Sequence, residues 1–208
     1  MKKTIVILVS AMLLAGCGGG NAKSGLVDEK FMLGSAPWGE TWETVSETAG
    51  LSGTVEERGR GQIAELDNTE FLGVEGTTIL EFDVTGISDD ETPVLINAYF
   101  RYNDEDEERL IAEGEKIYGE RQDFFLDENG VENPLNPPAW YSEETVEGSL
   151  TDAEKEKYSE ILGDIEQTRA DAIMRGPLVV ISVEEDSDMV RFSGNDAAIV
   201  KELKELTE

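Results

Sequence analysis

The chain has 208 residues, with 46 acidic and 17 basic side chains, a formal charge of −29, one cysteine and no histidine. That length suits one domain, or one domain with an insertion. The charge excludes nucleic acid as a partner, because phosphate binding draws its affinity from Lys and Arg. The missing histidine removes the commonest general base, the usual zinc ligands and any Ser-His-Asp triad.

Lys2 and Lys3 precede an apolar run from Ile5 to Leu14. This is the charged start and short apolar core of a secretory leader. It is too short to span a bilayer, which takes about twenty apolar residues. Leu14-Ala15-Gly16-Cys17 closes the run and resembles the lipobox of bacterial lipoproteins. The resemblance implies a diacylglycerol on the Cys17 thiol, cleavage between Gly16 and Cys17, and further acylation of the new amino terminus, because stable anchoring takes more than one acyl chain. Removing residues 1 to 16 leaves 15 basic against 46 acidic residues, a charge of −31, and a single thiol that can form no internal disulfide. The expected division is a signal peptide at 1–16, a lipid anchor and Gly-rich tether at 17–30, and an acidic globular domain at 31–208 with a helical insertion at about 151–175.

Thr41 is placed to cap a short helix that Gly50 ends, with Trp42, Val45 and Ala49 on one apolar face. Gly39, Thr41, Glu43 and Val45 resemble the Gly-x-Thr-x-Glu-x-Val start found in small lipoproteins of the outer-membrane assembly type and in β-lactamase-inhibitor-like modules. That resemblance implies a helix packed on an antiparallel sheet and a scaffolding or protein-binding role. Residues 51 to 75 read as polar and Gly-rich, with a short strand at Gln62 to Leu66. Thr78, Leu80, Phe82 and Val84 alternate with Ile79, Glu81 and Asp83 as a half-buried strand does. After a turn at Gly86 to Pro93, Val94, Ile96, Ala98, Phe100 and Tyr102 form the inner face of the next strand.

Asn103 is expected to cap a helix with the stripe Leu110, Ile111, Gly114, Ile117 and Tyr118, stopped by Gly119. Arg121 to Glu147 reads as a long irregular loop carrying Pro134, Pro137, Pro138, Trp140 and Tyr141. Asp127 to Gly130 within it is a plain turn, because a calcium loop aligned on Gly130 would put Phe125 and Asn136 at positions needing carboxylates. Thr151-Asp152-Ala153-Glu154 is a capping box that starts a charged helix running to about Arg175, bent at Gly163. Leu178 to Val183 and Met189 to Ser193 form a hairpin, and Asn195 or Asp196 caps a terminal helix bearing Ile199, Leu203 and Leu206.

The expected fold class is α+β: a single antiparallel sheet of about four or five strands with helices on one face, plus a long loop and a helical insertion. The expected function is non-catalytic, a lipid-anchored extracytoplasmic binding or scaffold domain for a protein or cell-envelope component, with no cofactor. Trp140 and Tyr141, or the helix from Asp152 to Arg175, supply the candidate contact surface, and Trp38 with Trp42 a second aromatic pair. Two alternatives stand beside it. One is a divalent-cation site on Asp104 and Asp106 or on Glu184, Glu185 and Asp186; the other is a carboxylate-pair hydrolase. Gly18 after the anchor permits the outer membrane in a two-membrane cell, or the outer face of the plasma membrane in a one-membrane cell.

Overall fold

A computed structural model describes residues 26 to 126 and 130 to 207. Its frame is one antiparallel sheet of eight strands: β1 (Val55–Arg58), β2 (Gly61–Phe71), β3 (Val74–Asp83), β4 (Val94–Arg101), β5 (Gln122–Leu126), β6 (Glu132–Tyr141), β7 (Val180–Glu184) and β8 (Met189–Ser193). The order is β1-β2-β3-β4-β8-β7-β6-β5. Two four-stranded runs therefore meet last strand to last strand, which leaves β1 and β5 as the edges.

The α+β class and single antiparallel sheet stand as expected, but with eight strands rather than four or five. The additional strands come from both stretches read as irregular. In the first, β2 runs for eleven residues and turns into β3 through Leu72 and Gly73, both at positive φ (53° and 75°). That pair of conformations matches a two-residue hairpin turn to the strand twist. The Arg109 guanidinium donates to the Gly73 carbonyl at 2.7 Å. In the second, the prolines disguised β6. β7 pairs with β6 only at Ala139 to Tyr141, so Pro134, Pro137 and Pro138 lie where their missing N–H groups cost no bond to that neighbour. The turn expected at Asp127 to Gly130 lies mostly outside the described residues.

The helices are α1 (Trp42–Thr48), α2 (Glu107–Tyr118), α3 (Val146–Ser149), α4 (Asp152–Ile161), α5 (Gln167–Met174) and α6 (Asn195–Glu205). Thr41 caps α1 by accepting from the Thr44 N–H at 3.5 Å. The capping box opens α4, where Glu154 accepts from both the backbone N–H and the hydroxyl of Thr151 at 2.6 and 2.7 Å. The single helix expected to Arg175 is two, α4 and α5, with Gly163 in the break. Asn103 does not cap α2 with its side chain; a single 3-10 turn at Asp104–Asp106 precedes the helix. Gly194, not Asn195 or Asp196, is the N-cap of α6.

Leu80, Phe82, Leu95, Ala98, Phe100, Ile181, Val183, Val190 and Phe192 point to the core face and are almost fully buried. A register shift at Glu81/Phe82 corrects the expected face of β4, turning Leu95 inward in place of Val94 and Ile96. Against this face α1 sets Trp42 edge-on to Phe82 at 6.0 Å, and α6 buries Ala197, Ala198, Val200 and Leu203. α2 lays Gly114 on the Trp140 ring. Its Ile117, expected in the buried stripe, is exposed. Segment α3–α5 bridges the ends of β6 and β7, with the Tyr158 hydroxyl donating to Asp196 at 2.7 Å.

Candidate functional site

Strand parity assigns the remaining side chains to the opposite face of the sheet. Ile63, Glu81, Asn97, Ser193, Val180 and Tyr141 form one row across β2, β3, β4, β8, β7 and β6. Glu65, Ile79, Tyr99, Arg191, Ser182 and Ala139 form the next. Thr77, Arg101, Met189 and Glu184 begin a third. Apart from the small Asn97 and Ala139, these residues are half-buried or exposed, and the contacts at their centre are with one another.

At that centre the Glu81 carboxylate accepts from the Asn97 amide at 2.9 Å and the Tyr99 hydroxyl at 3.0 Å. Burial, and then the Glu81 charge, push the Tyr99 hydroxyl up to about 12, so it remains a proton donor at any physiological pH. Arg191 lies over the Tyr99 ring at 5.9 Å and pairs with Glu184 at 3.8 Å. Its Nε is buried and has no hydrogen-bond partner among the described residues. Arg101 pairs with Glu65 at 3.3 Å. The result is a patch of Ile79, Tyr99, Met189 and Val180 whose polar groups are held in fixed positions, and Tyr, Met and Arg are enriched where proteins meet.

Charge divides unevenly over this face. On the β1–β4 half, Glu56, Glu65, Asp67, Glu70, Glu75 and Glu81 face Arg58 and Arg101; on the β7–β8 part, Glu184 faces Arg191. Glu70 and Glu75 stand directly opposite each other across β2 and β3.

A groove of about 490 Å³ lies between α6, the chain at Gly39 to Thr41 and the Ser88 to Val94 loop. Its donors are turned inward. The Lys201 ammonium reaches Glu205 at 2.7 Å, the Gly39 carbonyl at 3.2 Å and Glu40 at 3.3 Å. Glu202 accepts from the hydroxyls of Ser88, at 2.6 Å, and Thr85. These bonds clamp α6 to the end of the sheet.

The residues singled out from sequence fare differently. Gly16 and Cys17 lie outside the described residues. Trp140 is not a contact surface: it is 3 % exposed, wedged between Gly114 and Tyr118, with its indole N–H donating to the Gly119 carbonyl at 2.7 Å. Its apparent loop is strand β6, and strand parity turns it to the core. Tyr141 is half-buried on the opposite face. Trp38 is also buried, against Gly194, and donates to the Phe31 carbonyl at 3.1 Å, while Trp42 packs on Phe82. Asp104 and Asp106 stay in the turn before α2, Glu184 pairs with Arg191, and Asp186 is exposed; nothing is described of the Glu185 side chain. Among the described residues no three acids, histidines or cysteines converge as a metal site requires.

What sequence reading missed is the outer face. The signal is present in the alternation Ile79-x-Glu81 and Tyr99-x-Arg101, the half of each strand pattern that faces away from the core. No helix among the described residues is long and apolar enough to cross a membrane. Comparison with protein-family models, with curated proteins and with solved structures returns no match to this chain.

Proposed function

We propose that this chain is a lipid-anchored extracytoplasmic lipoprotein whose acidic domain is a non-catalytic binding or scaffold module for another protein or cell-envelope component. The anchor is Cys17, and the contact surface is the outer face of the sheet around Tyr99 and Arg191. One observation supports the docking part of this reading: α1 and α6 pack on the core face of the eight-stranded sheet, while the centre of the opposite face carries an ordered aromatic, methionine and arginine patch. The non-catalytic part draws support from the absence of histidine and from where the perturbed carboxyl sits. Burial raises Asp196 to about 6, but its carboxylate is occupied in accepting from the Tyr158 hydroxyl.

The anchoring half is tested by intact mass and membrane fractionation of the protein from its own host beside Cys17→Ala. A diacylglyceryl mass, and release from the membrane only in the variant, is expected; a soluble, unmodified native chain would overturn it. The docking half is tested by placing a photo-crosslinking benzoylphenylalanine at Met189, and separately at Lys157 on α4, which is half-buried like Met189, in the full chain in its host. A discrete adduct from Met189 and not from Lys157 is expected, and its absence would remove the sheet face from the proposal.

A further inference from the structure

We infer that the occupant of the outer sheet face is a protein presenting a lysine- or arginine-rich strip, seated over the β1–β4 half. The inference rests on the docking reading above and adds the partner's chemistry.

Two of the three bases on this face are already engaged, Arg101 with Glu65 and Arg191 with Glu184 and the Tyr99 ring. The acids are not. Among the described residues Asp67 and Glu81 accept only from neutral donors, Thr77 for the first and Asn97 and Tyr99 for the second. Glu70 and Glu75 face each other, and neither is in an ion pair among the described residues. Like charges set directly opposite on a sheet destabilise it, and the cost would be removed by a cation brought from outside. Charge complementarity across an interface mainly sets partner choice and encounter rate. A partner with acidic, phosphate or carboxylate chemistry would meet uncompensated repulsion here. A second copy of this chain is disfavoured for the same reason, since each carries −29. The neutral patch beside the acids, with Met189 and Val180, supplies apolar contact for the rest of such a partner's footprint.

The test compares two triple variants of the full chain. Glu65→Gln, Glu70→Gln and Glu75→Gln remove three carboxylates from the sheet face; Glu156→Gln, Glu160→Gln and Asp164→Asn remove as many exposed acids from the α4 segment. The probe is an octalysine peptide at physiological salt, followed by calorimetry and by backbone amide shifts. The sheet-face variant should lose at least about fivefold in affinity and the control less than about twofold, with shifts concentrated on β2 and β3. Thermal melting checks folding, and the sheet-face variant should melt no lower than the parent. Equal losses from both variants, or shifts spread over all acidic surfaces, would overturn the inference. The Met189 crosslinker separates the two levels. An adduct that persists in the sheet-face triple variant leaves the docking reading standing and refutes the basic partner, while an adduct lost there and kept in the control supports it. No adduct from Met189 in any background removes both.

Discussion

Gly114 gives a prediction in which two effects of known size oppose each other. It lies in the middle of α2, and replacing a helical glycine by alanine at an open position stabilises by about 1 kcal/mol. Here the position is closed. A methyl group built on Gly114 would lie 2.4 Å from Cη2 and 2.7 Å from Cζ2 of Trp140. The indole cannot retreat freely, because its N–H is bonded to the Gly119 carbonyl at 2.7 Å and its ring lies 5.3 Å from that of Tyr118. Overpacking of a filled core costs roughly 1–3 kcal/mol, so Gly114→Ala should be net destabilising, by about 1 to 2 kcal/mol. At this size that is a fall in Tm of roughly 2–8 °C. Urea unfolding of Gly114→Ala, Trp140→Phe and the double variant measures it. In the Trp140→Phe background the clashing six-membered edge of the indole is gone, and the alanine should become neutral or stabilising by up to about 1 kcal/mol. A stabilising Gly114→Ala in the parent chain, or a cost unchanged in the phenylalanine background, would refute the packing argument.

Thr151→Ala removes the hydroxyl that both caps α4 and donates to Glu154, leaving only the backbone N–H as a donor to that carboxylate; a loss of about 0.5–2 kcal/mol is expected by chemical denaturation. Asp196 binds its proton more tightly folded, near 6, than at the ordinary 3.8. Its contribution is therefore fully present below pH 4 and lost as pH rises through 6. Asp196→Asn should match the parent near pH 4 and exceed it in stability above pH 6; a constant difference across that window would count against the burial argument. Lys201→Met leaves Glu40 and Glu205 without their shared ammonium, and should loosen the end of α6, read as faster amide exchange at Lys204 and Glu205 than in the parent.

Local rules found much of the fold. Thr41 and the Thr151 to Glu154 box were legible because capping depends on neighbours three residues apart, and β3, β4, β7 and β8 because alternation survives in strands with one apolar face. The failures have physical causes. β6 carries three prolines, yet its unpaired flank tolerates them, which no window of sequence reveals. β1 and β2 hold few apolar residues because their outer face is charged, so alternation is faint there. Val94 and Ile96 were assigned inward because a bulge that shifts register by one residue exchanges the faces. Trp140 falls on the candidate contact surface for a different reason: once β6 is taken as loop, nothing assigns its side chains to a face. The acidity itself was plain from composition, but its gathering on the outer face of β1 to β3 depends on register, which is a tertiary property.

That gathering has a consequence for stability that can be measured without any partner. Glu70 and Glu75 are directly opposed on neighbouring strands, an arrangement that costs a few tenths to about 1 kcal/mol where opposite charges would gain a similar amount. Glu75→Lys reverses one sign and should stabilise the β2–β3 hairpin by roughly 0.5–1.5 kcal/mol at low salt. The gain should shrink as ionic strength rises from 0.01 M to 1 M and the screening length falls from about 30 Å to 3 Å. Glu75→Gln, which only removes the repulsion, should fall between the parent and the lysine variant. If the lysine variant is no more stable than the parent at low salt, or its gain is indifferent to salt, the two carboxylates do not repel across the strands. The clustered acids of the sheet face would then be ordinary solvated surface, and the case for a basic partner would lose its physical basis.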